Sequence, residues 1–149
     1  MADVYTATAD AVPLVAATAK TVMQLTAPAT TRARIRELQI CFDGVTASNP
    51  PGLVEILTQT TAGTATVATP APADPAAPAS LITASRNATV EPTAGTVLQS
   101  WRISPNGGVL LIPFPTWEEQ LVLAASGRIG VRCTFAQAVN VNVSLTFLV

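Results

Sequence analysis

Arg32, Arg34 and Arg36 recur at every second position. On an extended strand that spacing puts three guanidinium groups on one face. Arginine keeps its charge when partly buried and pairs bidentately with carboxylates. The cluster therefore reads either as a contact for acidic groups on a partner or as a solvated strand end that discourages edge pairing. Three arginines beside Glu37 are too few for a nucleic-acid surface. Trp117 follows Pro113-Phe114-Pro115-Thr116, so it is expected in a loop and exposed. Trp101 shares a strand phase with Val97 and Ile103 and is expected in the core.

Catalytic chemistry has little to work with. The chain contains no histidine, so neither a Ser-His-Asp nor a Cys-His constellation can form within it. Glu118 and Glu119 are adjacent and would point to opposite faces of a strand, which makes them a poor acid–base pair. The remaining carboxylates are scattered, and no phosphate-binding or zinc-protease motif occurs. Cys41 and Cys133 lack the further ligands a zinc site needs. They are expected as reduced, buried, small apolar residues, with a disulfide possible only if their strands pack close together. No catalytic residue, metal or cofactor is expected, and the chain reads as a non-enzyme.

The elements that would position these residues are strands. Val139, Val141, Val143, Leu145 and Phe147 alternate with Asn140, Asn142, Ser144 and Thr146, which gives one dry and one polar face. Ile129, Val131, Cys133 and Phe135 alternate in the same way, and the two runs are expected to pair antiparallel. Residues 32–42 carry arginines and then Leu38, Ile40 and Phe42 on even positions, as though one strand left solvent and entered a core. Further strands are expected over 20–26, 53–61, 96–104, 109–114 and 120–125, with weaker ones at 5–8 and 12–15. Asn106-Gly107-Gly108 predicts a hairpin between the 96–104 and 109–114 strands. Many short strands with Gly/Pro turns predict an all-β antiparallel sandwich of about eight to ten strands.

One domain of residues 1–149 is expected. Residues 1–20 form either an N-terminal arm or the first strands, with Tyr5 a candidate contact. Residues 62–80 read as a stiff Pro/Ala-rich surface loop, in which Pro72 and Pro75 are candidate contacts.

Composition adds a constraint. The chain is 49% hydrophobic but only 11% charged, against roughly 25% in average domains. No apolar run approaches the ~18 residues of a membrane helix, and no secretory leader is visible at the N-terminus. Sparse charge therefore suggests that Thr, Ser, Asn and Gln cover part of the surface and that other chains cover much of the rest. Net charge is −1, which gives no reason to expect nucleic acid.

The order of segments resembles the small jelly-roll virion proteins of tailed bacteriophages, especially capsid decoration (cement) proteins. It runs from a Thr/Ala-rich N-terminus through Arg32-Ala33-Arg34-Ile35 to Cys41-Phe42-Asp43-Gly44, then the Pro/Ala-rich stretch. It closes with Trp117-Glu118-Glu119, Leu121–Gly127, Arg128–Arg132 and Val139–Ser144. The resemblance implies a jelly-roll-like sandwich that assembles as a homo-oligomer, commonly a trimer, on the outer capsid surface. The major capsid protein would be its partner, and it would be made in the host cytoplasm without a signal peptide. It carries over no catalytic residue. A carbohydrate-binding module and a tail or baseplate structural protein are the alternatives.

Overall fold

In a computed structural model that describes residues 3–46 and 48–149, the chain is an all-β, jelly-roll-like sandwich. Its strands are β1 (Val4–Pro13), β2 (Lys20–Thr26), β3 (Ala33–Phe42), β4 (Gly52–Gln59), β5 (Thr64–Ala68), β6 (Ala71–Pro72), β7 (Thr83–Val90), β8 (Ala94–Ile103), β9 (Val109–Pro113), β10 (Leu121–Leu123), β11 (Arg128–Thr134) and β12 (Asn140–Leu148). One sheet runs β10-β3-β12-β1-β6, with β9 also on β3, and the other runs β5-β7-β2-β11-β4-β8. The dry faces meet in one core that includes Ile35, Leu38 and Phe147 from the first sheet and Met23, Ile56 and Phe135 from the second side.

The strands expected from alternation are present, but two expected pairings are not. β11 and β12 lie in different sheets, where β11 pairs with β2 and β4, and β12 with β1 and β3. The Gly107-Gly108 turn likewise joins β8 to β9 across the sandwich instead of closing a hairpin. Alternation fixes which side of a strand is dry, and two strands can share a core either edge to edge or face to face.

Bulges interrupt three strands and correct two readings of phase. Glu37 pairs with Thr146 and Ile35 with Phe147, so Arg36 is an extra residue in β3. The phase resets there, and Ala33, Ile35, Leu38 and Ile40 all face the core. The strand does not pass from solvent into the core along its even positions. In β1, Asp10 and Ala11 interrupt the register, with Ala11 at φ 47°. In β8 the register slips beside Leu57, which leaves Val97 43% exposed while Trp101 packs half-buried on the core.

Two pieces of the expected 62–80 loop join the sheets, while residues 73–80 remain turn and loop. β5 pairs with β7, and β6 pairs with β1 through Tyr5↔Pro72 and Thr6↔Ala71. Proline is tolerated in β6 because an edge strand can spare a donor. The first described residues are also strand, since β1 sits between β12 and β6. Met1 and Ala2 of the expected arm fall outside the described residues. Residues 91–93 then cross the second sheet from β7 to β8, and the Thr60 amide donates to the Thr93 carbonyl at 3.0 Å.

Neither cysteine is bridged. Cys41 alternates with the inward Ile40 and Phe42 and so lies on the outer side of its sheet, half-buried, whereas Cys133 is fully buried in the core. Burial, and secondarily the charge of Glu55, pushes the Cys133 thiol far above its ordinary value. Under native conditions one thiol, Cys41, is expected to react with an aromatic disulfide reagent, and Cys133 only after unfolding. Equal native rates in a thiol titration would contradict this placement.

Candidate functional site

The arginine cluster and Trp117 converge at one edge of the first sheet. Val122 of β10, Arg34 of β3 and Leu148 of β12 are register neighbours. All three point away from the dry face. The loop between β9 and β10 folds back over this row. It is anchored at one end by buried Phe114, whose amide donates to the Arg36 carbonyl at 2.7 Å. At its apex the Glu119 carboxylate accepts from the Thr116 amide at 3.2 Å and hydroxyl at 2.9 Å. The Glu119 amide returns a bond to the Thr116 carbonyl at 3.1 Å. That closed turn holds Trp117 outward at 57% exposure.

Arg34 completes the arrangement. Its guanidinium carbon lies 3.7 Å from the Trp117 ring centroid, and one of its terminal nitrogens donates to the Trp117 carbonyl at 2.9 Å. Cation–π contacts of this kind contribute about 0.5–1 kcal/mol at exposed sites. The result is a shallow groove of about 290 Å³ floored by Ala33, Val122, Leu148 and Val149 and rimmed by Arg32, Arg34 and Trp117. Its side chains offer positive charge, one free indole face and apolar surface. None is a nucleophile or a general base, so the arrangement suits binding.

The other predicted contact residues are distributed differently. Arg36 is exposed at its bulge and lies outside the groove lining. Tyr5 is a correction: it is 2% exposed and stacks on Phe147 with centroids 5.9 Å apart. Its hydroxyl donates to the Pro78 carbonyl at 2.9 Å. Odd positions of β1 face the core, so this ring cannot meet a partner. Pro72 is half-buried beside Tyr5, while Pro75 is exposed in the following turn.

Exposed apolar residues continue past the groove along the same edge. Val109 is 71% exposed and Leu111 49%. Sequence reasoning missed them as surface because Val109-Leu110-Leu111-Ile112 is a continuous apolar run. Only its pairing with β3 turns Leu110 and Ile112 toward the core and the other two outward.

A second polar cluster gathers Asp10, Asp43, Asn140 and Asn142 at the far end of the same sheet. The Asp43 carboxylate accepts from the Asn140 amide and side chain, both at 2.7 Å. Asn142 accepts from the Ala11 amide at 2.6 Å. The Asn142–Ala11 bond braces the β1 bulge. Among the described residues no set of three or more His, Cys, Asp or Glu is grouped as metal ligands would be. The Asn140 bonds hold the Asp43 carboxyl below its ordinary value. The stabilisation they give is therefore complete above the unfolded-state value and is lost as pH falls through the lowered one. Asp43→Asn is expected to flatten that part of the acid-unfolding profile, and an unchanged profile would dismiss the linkage.

Comparisons with protein-family models, with curated proteins and with solved structures returned no match. Function must accordingly be argued from the fold and surface themselves.

Proposed function

We propose that this chain is a structural virion protein. It decorates a bacteriophage capsid, binding the major capsid protein lattice as an oligomer, a trimer on the family resemblance. The observation that carries the reading is the character of the outside. Among the described residues, eleven large apolar side chains, from Leu98 at 38% to Val45 at 94%, are exposed. Among the described residues one ion pair, Arg132–Glu55, is present. Single exposed apolar residues are ordinary, but runs of them along a sheet edge mark interaction surface. A sandwich with few charges and an apolar flank gains most when sister subunits and a shell cover it.

The mechanism follows from mass action. A protein that binds only the assembled lattice stabilises that lattice, and repeated symmetric contacts multiply a weak single interaction. Electron cryomicroscopy of particles that contain the chain would test the proposal. Density on the outer shell is expected. Density confined to the tail would transfer the chain to the tail or baseplate reading, and absence from particles would end both. Exposed Trp117 leaves a carbohydrate-binding reading in play. It requires glycan binding by the wild-type protein that Trp117→Ala abolishes.

A further inference from the structure

The groove at Arg32, Arg34 and Trp117 has a complementary feature on the opposite edge of the same sheet. There the chain turns sharply after β6. The Ala77 amide donates to the Asp74 carbonyl at 3.0 Å, and the Ala76 amide donates to Asp74 Oδ1 at 2.9 Å. The turn is tied back to the core through the Tyr5–Pro78 bond. Asp74 and Pro75 stand exposed at its tip. Oδ2 of Asp74 has no hydrogen bond among the described residues.

We propose that the Asp74–Pro75 turn of one copy docks in the Arg32/Arg34/Trp117 groove of the next. Three observations support the match. Charge is complementary, since neither groove arginine has a carboxylate partner among the described residues, and neither does Asp74 have a cationic one. Shape chemistry agrees too. Arg34 covers one face of the indole and the other is open, and proline-rich segments favour aromatic-lined grooves. The turn is also pre-ordered by its own hydrogen bonds, so little conformational freedom is lost when it binds.

Placement decides who the partner is. The crosswise row Val122–Arg34–Leu148–Val4 runs from the groove to β1, and the Ala73 amide extends it by donating to the Val4 carbonyl at 2.8 Å. Four strand spacings, roughly 19 Å, separate β10 from β6. A copy therefore cannot place its own turn in its own groove, but a neighbour can. Such a contact uses two different surfaces and is head-to-tail, so it propagates until it closes into a ring. This inference deepens the oligomer part of the proposed function and rests on that part alone.

Sedimentation velocity on the full chain tests it, with thermal melting of each variant as a folding control. The wild type is expected to self-associate, with a change in tryptophan emission as Trp117 is covered. Trp117→Ala and Asp74→Arg should each weaken association roughly tenfold or more. Asp74→Asn keeps the turn's acceptor oxygen and should weaken it less. Arg32→Asp combined with Asp74→Arg should restore assembly, because every interface then carries the reversed pair. A wild type that stays monomeric overturns the proposal. So does association untouched by Trp117→Ala and Asp74→Arg, or a reversed pair that restores nothing. Shell binding is read separately: copies that assemble but do not bind capsids would retire the capsid role and leave this contact standing.

Discussion

Phe135→Ala is expected to lower the unfolding free energy by about 3–5 kcal/mol, the range for removing a fully buried aromatic side chain. Phe135 is 1% exposed and meets Phe42 of the facing sheet with ring centroids 4.5 Å apart. It therefore joins the two layers where β11 ends. The surroundings are poorly able to close over a cavity there, because Gly52 already gives its side-chain space to the ring. A methyl group built on Gly52 would overlap the Phe135 ring atoms. Gly52→Ala should in turn cost about 1–3 kcal/mol by overpacking. Combined with Phe135→Leu it should cost less than the two changes summed, since each relieves the other's misfit. Urea unfolding would measure this. A fall in midpoint with an unchanged slope signals lost stability of the same native state. Additive losses would show that glycine and ring do not share the space.

The second large effect concerns a polar row on the outer side of the second sheet. Gln24 Nε2 donates to Gln59 Oε1 at 2.6 Å, and Gln59 Nε2 donates to Thr21 Oγ1 at 2.9 Å. That hydroxyl donates to Glu91 at 2.8 Å, and both Glu91 oxygens accept from the Thr21 amide at 2.9 Å. Gln24, Gln59 and Thr21 are at most 5% exposed. The register slips at Val22, which places Thr21 beside a bulge, and Glu91 supplies the partner for its amide. Gln59 fills the space over Gly130, where any side chain would collide with it. Removing the middle of such a chain leaves the Gln24 amide with only its 3.1 Å bond to the Thr61 carbonyl and takes a donor away from the Thr21 hydroxyl oxygen, at about 1–3 kcal/mol for each unsatisfied group. Gln59→Ala is expected to cost about 2–3 kcal/mol. Glu91→Ala should release the Thr21 amide to fast hydrogen exchange and loosen the 91–93 crossing. Slow exchange at Thr21 in that variant would show that another group holds the amide.

The same row illustrates how far the sequence could be read. Gln24 sits in a strand whose alternation is legible, but nothing near it announces Gln59 or Glu91. The three meet because β4 and the β7–β8 crossing are brought beside β2 by long-range pairing. β7 itself was not anticipated. Its buried residues are Ala84 and Ala88, too small to mark a period, only Ala84 belongs to the core, and Asn87 sits at φ 54° within the strand. At the candidate site, Trp117 was legible as exposed because it follows Pro113 and Pro115. Arg34 was legible as outward because of its spacing. Their stacking was not, since it depends on the loop after β9 folding back over β3.

The amino-acid sequence by itself determined that this protein is built of strands, because period-two alternation and turn residues act locally. It also determined that catalytic chemistry has few candidate groups, and that the outside carries little charge. Tertiary structure decided which strands are neighbours, because a dry face can be covered by a facing sheet as well as continued by an adjacent strand. It decided, through single-residue bulges at Arg36 and beside Leu57, which positions point outward. It also drew pieces of the expected Pro/Ala-rich loop into the sheets and turned Tyr5 from candidate contact into core. In doing so it left Asp74–Pro75 and the Arg32/Arg34/Trp117 groove at opposite edges of one sheet. Local sequence cannot specify that separation, because it is set by strand order.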